Sequence, residues 1–216
     1  MKKLARILAA VLMLGLVIVP MANAATIKCE LPVIFISAGQ SGGVYVTDAM
    51  CKRAGVPYDR ADAPTGEHLA SGVGLPGYKE GPDVLPVQVE NYAGVATGTP
   101  YKTVVFVMGA SLKGMGASGL TVETEVARLQ TNIEWAEKNN VTIVGVHVEG
   151  KSLRGKPGSD NEIIIDAILP HCDMIMATTG SNHDNKFTDY AAANNIACEI
   201  AANSTAMIPL FQEMFL

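Results

Sequence analysis

Thr103-Val-Val-Phe-Val-Met108, Gly109-Ala-Ser-Leu-Lys-Gly-Met-Gly-Ala-Ser-Gly119, the segment Val122 to Lys138, and Val141 to Val148 together decide the fold. The first run is apolar after Thr103 and rich in valine, as a strand buried on both faces must be. In the third, Val122, Val126, Leu129, Ile133 and Ala136 recur at steps of four and three, which puts them on one face of a helix. The last is a second apolar run. Strand, helix, strand in so short a span is a crossover unit, and crossovers build parallel sheets.

The same alternation extends in both directions. Upstream, Pro32 to Ser37 reads as a first buried strand, Gly39 to Gly43 as a turn, and Val44 to Ala54 as a helix that Gly55 stops. Val56 to Asp59 reads as a short strand. Downstream, Ser159-Asp160-Asn161-Glu162 has the spacing of a capping box and opens a helix to about Leu169, before Pro170. Asp173 to Thr178 and Ile196 to Ile200 read as strands, Lys186 to Ala193 and Thr205 to Phe215 as helices. The expected architecture is α/β: a doubly wound, mostly parallel sheet of five to six strands in a Rossmann/flavodoxin-like three-layer sandwich. The exception is an irregular Gly/Pro-rich insertion at about 61–101, which admits a short helix near Glu67 to Ser71.

The N-terminus has another logic. Lys2, Lys3 and Arg6 precede an apolar run from Ile7 to Val19, then Pro20 and the small-x-small site Ala22-Asn23-Ala24. This is the pattern of a cleaved signal peptide, and the run is shorter than the ~20 residues of a membrane-spanning helix. Residues 1–24 are therefore read as the signal and 25–216 as one domain, periplasmic or extracellular after cleavage. Cys29 lies past the cleavage point, and no lipobox surrounds it. The whole chain carries a net charge of −5, and loss of the basic signal makes it more acidic. Nucleic acid is not an expected partner, because phosphate neutralisation needs a basic stripe. Cys29, Cys51, Cys172 and Cys198 allow three disulfide pairings in an exported chain. They include no CxxC, and Cys51 and Cys198 also read as small core residues on a helix and a strand.

In open parallel sheets, ligands sit beyond the carboxyl ends of the strands. Four loops meet that description: Ser37 to Gly43, Gly109 to Gly119, His147 to Lys156, and Thr178 to Asp184. From them we take Ser37, Gly39, Gln40, Ser41, Gly109, Ser111, Lys113, His147, Arg154 and Asn182 as candidate ligand contacts. Helix N-termini in the first two loops suit an anion, and the Arg154 fork suits a carboxylate or phosphate. Gly39, Gly42 and Gly43 are spaced GxxGG rather than GxGxxG, and GxxxxGK[ST] does not occur, so no nucleotide cofactor is expected.

Catalytic readings are weaker. Ser111 and His147 are the candidates, but the run after Gly109 places its second glycine, Gly114, one residue late for a nucleophile elbow, and no aspartate stands ready to orient His147. His147, Glu149, His183 and Asp184 follow two strands expected to be neighbours, yet lack a metal-binding spacing such as HExxH; no metal is predicted. His171 and Cys172 precede a strand and belong to the opposite edge.

Leu31-Pro32, Ser37-Ala38-Gly39-Gln40-Ser41, Gly109-Ala110-Ser111, Lys113-Gly114, Gly116-Ala117 and Gly145-Val146-His147 together resemble an uncharacterised exported bacterial family, domain of unknown function family 6305. The resemblance covers most of the mature chain. It implies a signal peptide and a Rossmann-like domain, and supplies no activity or catalytic residue. The leading expectation is thus a non-enzymatic exported protein that binds a small anionic or polar metabolite, with a membrane transporter as its second partner. The alternatives are a hydrolase using Ser41 or Ser111 with His147, and a protein that docks onto a membrane partner through 61–101.

Overall fold

A computed structural model describes residues 27–71, 90–91 and 100–216. The signal peptide at 1–24 and most of the 61–101 insertion lie outside the described residues. Six parallel strands form the sheet: β1 (Val33–Ala38), β2 (Asp59–Ala61), β4 (Thr103–Met108), β5 (Thr142–His147), β6 (Met174–Thr178) and β7 (Ala197–Ala201). The two-residue β3 (Glu90–Asn91) adds an antiparallel edge beside β2. The order is β3-β2-β1-β4-β5-β6-β7.

Every residue of β1 and β4 is buried, which is why their sequences show no polar alternation. In β1, Ile34, Ile36 and Ala38 face one way and Val33 and Phe35 the other. Against the second face pack α1 (Gly43–Ala54) and α7 (Ile208–Phe215), through Val44, Met50, Cys51, Phe211 and Met214. The first face receives α2 (Gly66–Ser71), α4 (Val122–Lys138), α5 (Asp160–Ile168) and α6 (Lys186–Asn194), through Leu69, Leu129, Ile133, Ile165 and Phe187. The short α3 (Leu112–Ala117) precedes α4. The result is the expected three-layer α/β fold.

Some local expectations need correction. The strand expected at Val56 to Asp59 lies at 59–61, with Val56 and Tyr58 turned into the core ahead of it. The Ser159–Glu162 capping box does not form: Ser159 Oγ is buried without a hydrogen-bond partner among the described residues, and Glu162 binds Arg154 and the Gly155 N–H instead. A reciprocal box exists where none was expected, at the start of α4 between Thr121 and Thr124. All four cysteines are unpaired thiols, three of them buried. Among the described residues no helix is long and apolar enough to cross a membrane.

The chain leaves β1 for β2 on one side and returns to β4 on the other. The carboxyl ends of β1 and β4 are therefore where the connections part, and where an open sheet leaves a crevice.

Candidate functional site

The loop after β1 is held from below and from the side. Gly39 has φ of 97° and packs so closely on the backbone after β4 that a Cβ would collide with the Gly109 carbonyl oxygen. Only glycine fits there. Its N–H donates to Glu125 Oε1 at 2.8 Å. Glu125 is fully buried and is held in turn by Arg128, which also donates to the Ser37 carbonyl oxygen at 2.9 Å. Gln40 takes the left-handed conformation, bridges to Ala110, and donates from Nε2 to the Asp62 carbonyl oxygen at 3.1 Å. The first two loops are thereby joined.

Ser41 follows and is only 3% exposed. Its Oγ accepts the Gly43 N–H at 3.3 Å. Facing it is Glu149, from just beyond β5. Its carboxylate lies over the glycines of the two neighbouring loops: a Cβ on Gly43 would stand 2.9 Å from Glu149 Oε2, and one on Gly109 would stand 2.8 Å from it and 2.7 Å from Ser41 Oγ. Missing side chains at 43 and 109 are what admit the carboxylate. Glu149 Oε2 is nevertheless buried with no hydrogen-bond partner among the described residues. An anion was expected at this helix N-terminus. The anion found there is the protein's own.

The third and fourth loops converge on a different, self-contained network. His147 is fully buried. Its Nε2 faces the Leu153 carbonyl oxygen at 3.1 Å, which can only accept, so Nε2 donates and Nδ1 accepts the Ser181 hydroxyl at 2.8 Å. Burial holds the imidazole down to about 4, and Arg154 nearby adds to that. Ser181 Oγ also meets Thr178 Oγ1 and the Gly150 N–H. Arg154 is 7% exposed. It donates to Glu162 Oε1 and Oε2, Asp184 Oδ1 and Oδ2, and the Ser181 carbonyl oxygen. That accounts for every N–H a guanidinium has. Its plane lies over Phe187 at 5.0 Å. Burial alone would raise the Glu162 carboxyl, but the hydrogen bonds from Arg154 and Lys186 prevail and bring it down to about 2.

The predicted residues therefore separate. Ser41 and Gly109 stand together at the switch point, and Gly39 and Gln40 join the same two loops beneath them. Ser37 is buried at the end of β1, its Oγ without a hydrogen-bond partner among the described residues. Lys113 is exposed on α3. Ser111 accepts the Gly114 N–H at 3.1 Å as the cap of α3, and His147 is joined to Ser181. The expected Ser111–His147 or Ser41–His147 pair is not formed. Arg154 offers no free fork to a ligand, because its donors are saturated. Asn182 accepts the Phe187 N–H at 3.0 Å and donates to Thr188 Oγ1, holding the start of α6. Glu149 was noticed in the sequence only beside His147, His183 and Asp184. Among the described residues no three His, Cys, Asp or Glu side chains are grouped to hold a metal. Nothing in the sequence marks the Glu149 side chain as reaching over β4, because that depends on strand order.

At the opposite edge, His171 and Cys172 lie where expected, away from the crevice. They border a groove of about 650 Å³ with Glu137 and Asp173.

Fold and site together define a Rossmann-like α/β domain with polar, glycine-rich loops gathered at its topological switch point. The chain belongs to the family described as Domain of unknown function (DUF6305), whose model matches residues 30–215. No curated protein matches it. Two solved structures are similar at a low level. One is Agd3, described as a novel carbohydrate deacetylase, at 18% identity and a TM-score of 0.28, covering 58% of this chain and 16% of that one. The other is a proposed acylhydrolase from Bacteroides fragilis NCTC 9343, at 13% identity and a TM-score of 0.31, covering 89% and 81%. The chain thus spans about a sixth of the deacetylase. Neither likeness carries an argument about what this chain does.

Proposed function

We propose that this chain is an exported binding protein whose β1/β4/β5 crevice holds a small polar metabolite. One observation carries the reading: the buried, unpartnered Glu149 Oε2 facing Ser41 over two glycines. A buried acceptor left unsatisfied costs about 1–3 kcal/mol, more if charged, and a ligand donor would remove that cost. The crevice also lies where open parallel sheets bind their ligands. Binding is favoured over hydrolysis because the buried Ser/His contact seen among the described residues, Ser181 with His147, belongs to a structural network around Arg154.

A thermal-shift panel of polyols and sugars, amines and amino acids, and organic acids and phosphates tests the reading. At least one class raises the Tm of the wild type, and Ser41→Ala and Glu149→Gln diminish that rise. If no class raises it, the binding reading is lost. Export is tested separately by N-terminal sequencing of protein recovered outside the cytoplasm, which begins at Ala25 if the signal peptide is cleaved after Ala24.

A further inference from the structure

The groove at the opposite edge of the sheet is where the start of the domain is led. Residues 27–32 are pinned along that edge. Cys29 donates its N–H to the Met214 carbonyl oxygen at 2.9 Å, Thr103 Oγ1 donates to the Glu30 carbonyl oxygen at 2.8 Å, and the Lys102 N–H donates to that of Pro32 at 2.9 Å. The chain so held brings Ile27 into the wall of the groove, with Glu137, His171 and Asp173. The lining contains two carboxylates and no lysine or arginine. Lys28 turns elsewhere and donates from Nζ to the Glu213 carbonyl oxygen. Glu137 Oε1 meets His171 Nδ1 at 2.6 Å, and Asp173 Oδ2 accepts the Ile143 N–H at 2.8 Å. Each carboxylate keeps lone pairs for a further donor. A groove of about 650 Å³ has the room of a small-molecule pocket.

On the reading that the chain is exported and cleaved after Ala24, we propose that the new α-ammonium group of Ala25 docks in this groove, against Asp173 and Glu137. Cleavage there leaves only Ala25 and Thr26 ahead of Ile27. Two residues reach about 7 Å, enough to enter a groove whose wall Ile27 already forms. An α-amino group is mostly protonated near neutral pH and then carries three donors and a full positive charge. That is the charge the lining lacks. Hydrolysis of the Ala24–Ala25 bond, with water as co-reactant, leaves a carboxylate on the released signal and the ammonium on the chain. Before cleavage the same nitrogen is a neutral peptide N–H. The groove thus holds a charge that only the mature chain has.

Glu137 is half exposed, at 53%, so the pair moves stability little and the amine's own titration is the readout. Intact mass of protein recovered outside the cytoplasm first fixes where the chain begins. NMR of the same protein, with isotope-labelled alanine, then follows the Ala25 amine. The chain begins at Ala25, and the amine titrates at about 8.5 or above rather than at its ordinary ~7.7–8.0. Asp173→Asn with Glu137→Gln returns it to the ordinary range, and both amides keep an acceptor for the Ile143 N–H and for His171. A chain made with Gly-Ser ahead of Ala25, which leaves the groove unaltered, also titrates in the ordinary range. An ordinary value in the wild type overturns the docking, as does a raised one that persists in the double variant or in the extended chain. A chain that begins elsewhere overturns the cleavage reading and the docking with it. One that begins at Ala25 with an ordinary amine overturns the docking alone.

Discussion

Ser41 Oγ and Glu149 Oε2 flank a single point in space, the place a Cβ on Gly109 would occupy, at 2.7 and 2.8 Å. Three loops from three adjacent strands meet there. Gly109→Ala puts a methyl group at that point, and the flexible Glu149 side chain is the one able to yield. The fold should survive with a loss of about 1–3 kcal/mol from overpacking, to which the backbone strain of a side chain at φ of 157° adds about 1–3 kcal/mol. Ligand-induced thermal shift should be abolished while the far-ultraviolet circular dichroism is unchanged. A variant that keeps the full ligand shift would remove Glu149 and Ser41 from the binding site.

Arg154 makes the opposite case, a residue chosen for binding that the structure commits to packing. Its five donors meet two carboxylates and a carbonyl, and nothing is left over. Arg154→Lys keeps the charge but cannot satisfy that fork. Breaking a buried pair of this kind costs about 3–5 kcal/mol, so urea unfolding should show a large drop in midpoint. Arg154→Lys with native stability and selectively weakened ligand binding would restore Arg154 as a ligand contact.

The difference between these residues explains what was legible. The strands at Thr103 to Met108 and Met174 to Thr178 and the helix at Val122 to Lys138 were readable because burial on both faces, or on one helical stripe, writes a period into the sequence. Gly55, with φ of 72°, was readable as a helix stop because its backbone demands that residue. The four strand-end loops followed from the parallel order. The loops did not reveal which of their polar residues are free. Arg154 reads as an anion clamp until Glu162, eight positions on, is seen turned back to it, and the same turn deprives Ser159 of its capping partner. Glu149 becomes distinctive only once β5 is known to neighbour β4, and β4 to neighbour β1.

Asp59 is fully buried, accepts the Tyr101 hydroxyl at 3.0 Å on one oxygen, and has no hydrogen-bond partner among the described residues on the other. Burial pushes its carboxyl up to about 6, against a smaller lowering by Tyr101. A raised folded-state value means the contribution is complete below about 3.8 and is lost as pH rises through 6. At neutral pH Asp59 therefore works against the fold. Asp59→Asn should raise unfolding free energy by ~2 kcal/mol at pH 8 and by little at pH 4. Equal gains at both pH values, or a loss at pH 8, would show that the carboxyl does not titrate in this way.

His147 produces the reverse dependence. Its folded-state value, about 4 against an ordinary 6.5, follows first from burial. The unfolded chain takes up a proton as pH falls below 6.5, and the folded chain does so only near 4, so stability is complete above 6.5 and drains away between those limits. The expected loss is ~3 kcal/mol over that window. Glu162, held at about 2, adds its own loss only below about 4.5, while Asp59 moves oppositely between 6 and 3.8. Subtracting the urea-stability curve of His147→Gln from that of the wild type cancels those other groups. The variant is less stable at pH 7, because the Ser181 and Leu153 contacts and the packing on Phe187 are altered. The gap between the two curves should close as pH falls from 6.5 to 4. Curves that stay parallel through that window would mean that His147 is charged in the folded protein, and that the Ser181 hydroxyl is not donating to its Nδ1.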